Sequence, residues 1–300
     1  MAFRTVEISN PAEIHIKNSQ LQIEQENGTA TIPIEDIATI FCVGPNIRIS
    51  TMALSRLSQN KVTLITLDNK YLPTSLILPY EGNSRQSQIM HKQISLTTQK
   101  KLKIWIEIIK RKISNQARCL AILGIDGADE VISHMLDIND ENVDFKESYA
   151  AKIYFEHFYP GLNRKTETPI NSRLNYGYAV IRSAIARSIT ATGFHPTFGF
   201  HHNSQLNPFN LVDDLIEPWR PFVDLIAIST LGTSIKLNKH DRYQLAHVLH
   251  NACIINEQKM TILSAIDIMS ESVKRFIMDE DKSLIFPTLL PIENMELISE

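Results

Sequence analysis

Glycine is scarce in this 300-residue chain: ten residues, about half the usual share. A glycine-rich phosphate loop is therefore not expected, and neither G-x-G-x-x-G nor G-x-x-x-x-G-K-[ST] occurs. Cysteine is scarce too. Cys42, Cys119 and Cys253 are odd in number and far apart, so they form neither a disulfide framework nor a CxxC zinc site. That usage fits a reducing cytoplasm. The N-terminal MAFRTVEISN lacks the apolar core of a signal peptide. The acid-free stretch from Ser172 to Val212 carries Arg, Asn, His and Pro, whose polar groups would go unpaired in lipid, so no membrane span is expected. No G-x-S-x-G nucleophile signature, internal repeat or low-complexity tract occurs. What remains is 43% hydrophobic and 21% charged, the composition of a folded soluble protein of one large or two modest domains.

The net charge of −3 hides a polarised chain. From Arg85 to Arg118 there are nine Lys/Arg against one Glu; from Asp126 to Glu147, eight Asp/Glu against one Lys; from Arg164 to Arg187, five basic residues against one acidic. Basic blocks beside an acidic block suit a polyanion-binding enzyme with a carboxylate metal site, and equally suit ordinary solvated helix faces.

Residues 1–80 read as β. Ile14/Ile16, Leu21/Ile23 and Ile32/Ile34 alternate with polar residues, Val62–Leu67 and Tyr71–Leu78 are strand-like, and Asn27-Gly28 signals a type I′ hairpin. Ser50 can cap a short helix carrying Met52, Ala53 and Leu57. Glu81-Gly82-Asn83-Ser84 opens a linker over 81–86. Beyond it, Leu102, Trp105, Ile106, Ile109, Ile113, Ala117 and Leu120 recur at helical spacing, with Lys100, Lys103, Lys110 and Arg118 on the other face. Further helices are expected over Asn142–Phe158, Ile170–Thr192 (ending at Gly193), from Asn210, and over Lys239–Asn251 and Lys259–Met278. The expected fold is α+β: a small β-sandwich-like N-terminal domain at 1–80, for dimerisation and partner contacts, then a larger all-α-helical catalytic domain at 87–300.

Three segments could carry chemistry. Glu147 shares a stripe with Ala150, Ala151, Tyr154 and Phe158, so it faces the core, needing an arginine, a metal or a proton, or it marks the stripe's polar edge. In Gly199-Phe200-His201-His202 at most one histidine is expected to be a ligand. In Asn210–Pro221 the apolar face is Leu211, Val212, Leu215, Ile216 and Trp219. Asp213, Asp214, Glu217 and Arg220 share the other face, where crowded carboxylates invite a divalent cation or an arginine, or form a solvated acidic face. Glu, His and Glu are donors suited to Mg²⁺ or Mn²⁺.

The run Gly199-Phe200-His201-His202 through Asn210-Leu-Val-Asp-Asp-Leu-Ile-Glu-Pro-Trp-Arg-Pro-Phe-Val-Asp224, with Glu147-Ser-Tyr-Ala-Ala-Lys-Ile-Tyr-Phe, closely resembles the integrase subunit of CRISPR adaptation, also called the CRISPR-associated endonuclease, in its type II branch. Trp219 stands where phenylalanine is commoner and Asp213 replaces a frequent tyrosine. The resemblance implies a divalent metal, Mg²⁺ or Mn²⁺, held by Glu147, His202 (the fourth residue of Gly-x-x-His) and Glu217, with Asp214 beside them. It implies joining of 3′-OH ends of short DNA duplexes to the CRISPR repeat by transesterification. It also implies a homodimer, two copies of which flank a dimer of the small second adaptation protein, with the type II effector nuclease as a further partner. His202 must be neutral at the ligating nitrogen, so activity should fall at low pH. The Lys and Arg residues at 100–118, Lys100, Lys103, Lys110 and Arg111 foremost, with Arg164, Lys165, Arg173, Arg182, Arg187 and Arg220, are the candidate phosphate contacts. Two other readings stand beside it: a non-catalytic DNA-holding scaffold subunit, and a metal-dependent branched-DNA nuclease outside immunity.

Overall fold

The computed structural model describes residues 4–67, 73–78, 83–280 and 283–292. Eight strands come first. β1 (Arg4–Ile8), β5 (Ile37–Cys42), β7 (Thr63–Leu67) and β8 (Pro73–Ile77) form one sheet in the order β1-β5-β7-β8, parallel except for β8. β2 (Ala12–Lys17), β3 (Gln20–Gln25), β4 (Gly28–Pro33) and β6 (Ile47–Ile49) form a second sheet in the order β4-β3-β2-β6. β5, with the sequence IATIFC, is buried at all six positions, as an apolar run in the middle of a mostly parallel sheet should be. Ile40, Cys42 and Leu64 pack into the N-terminal core with Ile8, Ile14 and Leu21, while Ala38, Phe41 and Ile65 join the helical core. The first sheet is thus a wall common to both regions.

Helix α1 (Thr51–Gln59) is capped by the Ser50 side chain, which accepts from the Ala53 N–H, as expected. The hairpin at Asn27-Gly28 exists, but Gly28 already pairs with Gln25, so the turn falls on Glu26-Asn27. The turn with two positive φ values lies one hairpin earlier, at Asn18 (50°) and Ser19 (59°). Of the expected linker and of the strand start at Tyr71, residues 81, 82, 71 and 72 lie outside the described residues. Asn83 ties the described part down by donating to the Thr192 carbonyl.

Two long helices carry the remainder. α3 (Thr98–Leu123) follows the short α2 (Gln86–Ile94); Thr97 caps its start and Gly124, at φ 67°, its end. α6 (Pro169–Thr192) is capped by Thr168 and ends at Gly193, φ 101°. Around them lie α4 (Ala128–Ser133), α5 (Val143–Phe158), α7 (Asn210–Leu215), α8 (Arg220–Ser229), α9 (Lys239–Ala246) and α10 (Ile262–Ile277). The region is not all-helical. α9 stops at Ala246, and the expected helix over Lys259–Met278 begins only at Ile262, where the Thr261 hydroxyl accepts from the Ser264 N–H. Between them β9 (Ala252–Ile255) and β10 (Gln258–Thr261) form a hairpin, joined on β9 by β11 (Thr288–Leu289). Short runs such as ACII fit either period, and the turn residues Asn256 and Glu257, both at positive φ, lack the glycine that would have announced them.

Candidate active site

Glu147 comes from the second turn of α5, and its stripe partners Ala150, Tyr154 and Phe158 are buried as expected. The group that meets Glu147 is Lys112, a buried lysine from α3 that donates to Glu147 Oε1. The same ammonium lies 2.6 Å from Glu217 Oε2. That distance fits a hydrogen bond but the direction does not: Glu217 Oε2 is buried and lacks an aligned donor, so the contact is ionic. Burial alone would lower the Lys112 pKa; the facing Glu217 and Glu147 carboxylates outweigh it and raise it.

Glu217 sits in a 3₁₀ turn, Glu217–Trp219, interposed between α7 and α8. Pro218 and Pro221 open this turn and α8, where a missing N–H costs nothing. Asn115 of α3, fully buried, donates to the Pro218 and Pro287 carbonyls and accepts from the Leu289 N–H, pinning the turn. Arg220 Nε donates to Glu217 Oε1 at 2.8 Å. Burial would raise the Glu217 pKa, yet Arg220 and Lys112 pull it down to about 2.

The crowded acidic face expected on Asn210–Pro221 does not form. Asp213 pairs with Arg182 at 2.7 and 3.0 Å. Asp214 turns inward and holds the 199–202 loop: Oδ2 accepts from the Phe200 and His201 N–H groups, and Oδ1 accepts from the His202 N–H at 3.0 Å. His202 Nδ1 meets Asp214 Oδ1 at 2.7 Å, which leaves Nε2 as the ring atom available to a ligand. This bond to Asp214 raises the His202 pKa against the effect of partial burial, with Glu217 adding to the rise. The preceding loop is held by Gln93, which donates to the His195 and Phe198 carbonyls and accepts from the His195 N–H.

His201 serves otherwise, its ring stacked on Trp105 at 4.1 Å. Trp105 meets His202 edge-on at 5.8 Å and donates to Asp144 on α5. One face of α3, through Trp105, Lys112 and Asn115, thus touches every segment that supplies a candidate residue. Glu147 and Glu217 are brought together on Lys112, and His202 meets Trp105 of the same helix. Among the described residues, no three His, Cys, Asp or Glu side chains form a ready ligand cluster.

Lys112, read from the sequence only as one of the basic residues at 100–118 that could contact phosphate, and Asn115 were missed as residues of the carboxylate site. The signal was present: Lys112 stands three and four residues after Ile109 and Ile108, a lone cation on an apolar stripe, as Glu147 is a lone anion on another.

Several candidate phosphate contacts have other work. Arg173 is buried against Asp241 and the carbonyls of Thr230, Pro169 and Ser234. Arg187 is buried against Asp267 at 2.7 and 2.9 Å. Neither has surface to offer DNA. Arg182 is held by Asp213, Arg220 by Glu217, Arg111 by Thr288, and Arg164 by Asn171 and Asn175. Lys110 reaches Glu107 at 3.4 Å, and Lys100 lies 2.5 Å from Asp279. Lys103 and Lys165 are exposed, Lys103 above the Phe276 ring. Arg118, on the face expected to be outward, donates to Leu289, so β11 covers part of that face. No helix among the described residues is long and apolar enough to cross a membrane.

Residues 7–265 match the family model described as CRISPR associated protein Cas1. The CRISPR-associated endonuclease Cas1 of Neisseria meningitidis serogroup C (strain 8013) is 33% identical over 302 residues, covering 99% of each chain. One from Pyrobaculum aerophilum is 27% identical across 69% of this chain and 75% of its own. In fold, a casposase bound to integration product superimposes with a TM-score of 0.79 at 17% identity, over 99% of this chain and 96% of that one. A Cas1 protein from Thermotoga maritima gives 0.70 at 17% identity, over 92% and 97%. With the α+β layout and the Glu147, Gly199–His202 and Glu217 segments gathered on one helix, the chain belongs to the Cas1 family of CRISPR-associated endonucleases.

Proposed function

We propose that the chain is a divalent-metal-dependent DNA integrase of type II CRISPR adaptation. It would join the 3′-OH ends of short DNA duplexes to the CRISPR repeat by transesterification. The observation that carries this reading is the pairing of Glu147 and Glu217 about a single cationic group, with His202, its ring fixed through Nδ1, on a loop that the same helix contacts through Trp105. Two carboxylates from different helices at bridging distance of one cation, one of them with an unmet buried oxygen, form an oxygen-rich site that fits Mg²⁺ or Mn²⁺. Glu147, Glu217 and His202 Nε2 would hold the ion. Once bound, the ion supplies Lewis-acid polarisation of a phosphodiester and favours the alkoxide form of the attacking hydroxyl.

The chain's own residues do the remainder. Asp214 fixes the His202 tautomer and orientation, Arg220 and Asn115 fix Glu217, and Trp105 ties the histidine loop to α5. No side-chain nucleophile is needed, because the attacking 3′-OH and the leaving 3′-oxygen both belong to DNA. Cas1–Cas2 assemblies among the structures of the same fold support a small second adaptation protein as partner. The casposase and its integration product support DNA as substrate.

The test is strand joining of a labelled 3′-OH duplex to a repeat-bearing plasmid, with the partner protein and Mg²⁺ or Mn²⁺. Glu147→Gln, His202→Ala and Glu217→Gln should each lower the rate at least ~100-fold with the fold retained by circular dichroism. Wild-type rates in all three would overturn the reading. Shortened strands without a new junction would assign a nuclease instead.

A further inference from the structure

We propose that Lys112 is the resident counter-cation of the Glu147–Glu217 pair: it holds the two carboxylates together in the metal-free chain, and it sets divalent-cation affinity by competing for the same oxygens. The inference rests on the metal reading above and goes beyond it, because it gives a role to a residue outside the ligand set.

The geometry carries it. Lys112 is buried on an otherwise apolar stripe of α3, flanked by Ile108, Ile109 and Ile113, all of them buried. A lone ammonium there would be costly, and so would two facing carboxylates. Each needs the other. Glu147 takes the Lys112 hydrogen bond; Glu217 Oε2 takes charge at 2.6 Å without an aligned hydrogen bond. Glu217 also has Arg220 on its other oxygen, so it stays compensated when Lys112 leaves. Lys112 thus holds both carboxylates, Glu147 by an aligned hydrogen bond and Glu217 by a close ion pair that Arg220 can stand in for. A divalent ion brings twice the charge and can meet both carboxylates, so it can displace a group held in this way. The long aliphatic stem of lysine permits the withdrawal, whereas Arg220, beside the Tyr178 ring at 4.9 Å, is anchored.

Mn²⁺ binding to the full-length chain, followed by isothermal titration and by loss of the free-ion paramagnetic resonance signal, tests this. Lys112→Met keeps the stem and removes the charge. It should bind Mn²⁺ roughly tenfold or more tightly than wild type. Its metal-free form should melt lower, and Mn²⁺ should raise its melting temperature by more than it raises that of wild type. A purely structural lysine would lower the melting temperature without tightening metal binding. If Lys112→Met does not fold, the wild-type chain with ¹⁵N-labelled lysine gives the same answer: Mg²⁺ should shift the Lys112 Nζ resonance and open it to solvent exchange. The proposal falls if wild type binds Mn²⁺ and Lys112→Met binds no tighter, or if Mg²⁺ binds and leaves the Nζ resonance unmoved; the metal reading survives both results. If neither wild type nor Lys112→Met binds Mn²⁺, the metal reading fails and takes this proposal with it.

Discussion

A Cβ added at Gly199 would lie 2.3 Å from the His202 carbonyl oxygen and 2.8 Å from Asp214 Oδ2. Both atoms belong to the arrangement that fixes the histidine ring, so Gly199→Ala should cost strand joining ~100-fold while leaving far-ultraviolet circular dichroism near wild type. Deeper in the core, Asp224 accepts from Tyr154 Oη at 2.9 Å and from Tyr178 Oη. Burial pushes its pKa up to about 6, against the two tyrosine hydroxyls and Arg220. An unfolded aspartate titrates near 3.9. Between those values the folded chain holds a proton that the unfolded chain has lost, so stability is greatest below about pH 4 for this group and falls as pH rises to 6. Two pH units correspond to about 3 kcal/mol. Urea unfolding of wild type and Asp224→Asn between pH 4 and 7 checks this: the variant should lose that part of the slope.

At the scale of elements, the hairpin of β9 and β10 turns through Asn256 and Glu257, at φ 50° and 62°. Asparagine tolerates that region; glutamate is strained there. Glu257→Gly should therefore stabilise the chain by about 0.5–1 kcal/mol, measured as a shift in the urea midpoint at unchanged slope. The turn Glu217–Trp219 is the more consequential element. Had α7 run on as one helix, Asp213, Asp214 and Glu217 would share a face. The proline-bearing turn re-aims Glu217 to Lys112, away from Asp213, which goes to Arg182, and Asp214, which goes to the histidine loop. The apolar stripe of this segment was legible because periodicity records which residues avoid water. The aim of its carboxylates was not, because a single 3₁₀ turn rotates them without altering that record.

Across the whole molecule, charge is arranged for internal pairing more than the linear sequence suggests. The basic blocks predict a broad DNA face, but the buried Arg173 and Arg187 neutralise Asp241 and the half-buried Asp267. If Lys103 and Lys165 contact phosphate, Lys103→Ala/Lys165→Ala should flatten the salt dependence of duplex binding by about 2 units of slope, read by fluorescence anisotropy over a KCl series. An unchanged slope removes both from the DNA face. Ala38, Phe41 and Ile65 belong to the helical core, so the two regions share a packed sheet that no reading of 1–80 alone could supply.

Residue order by itself determined the β-then-helical plan, the end of the second long helix at Gly193, and the candidate segments around Glu147, His201-His202 and Asn210–Pro221; the choice of His202 and Glu217 within them came from the family resemblance. The plan and the helix end follow from local periodicity and capping, which are physical properties of neighbouring residues. Only the tertiary structure decided the partners: that a lysine joins Glu147 to Glu217, that Asp214 serves His202, and that the arginines proposed as phosphate contacts have partners within the chain. Such pairings span separations of tens to more than a hundred residues. They are set by how packed helices bring complementary buried charges face to face, which local sequence does not encode.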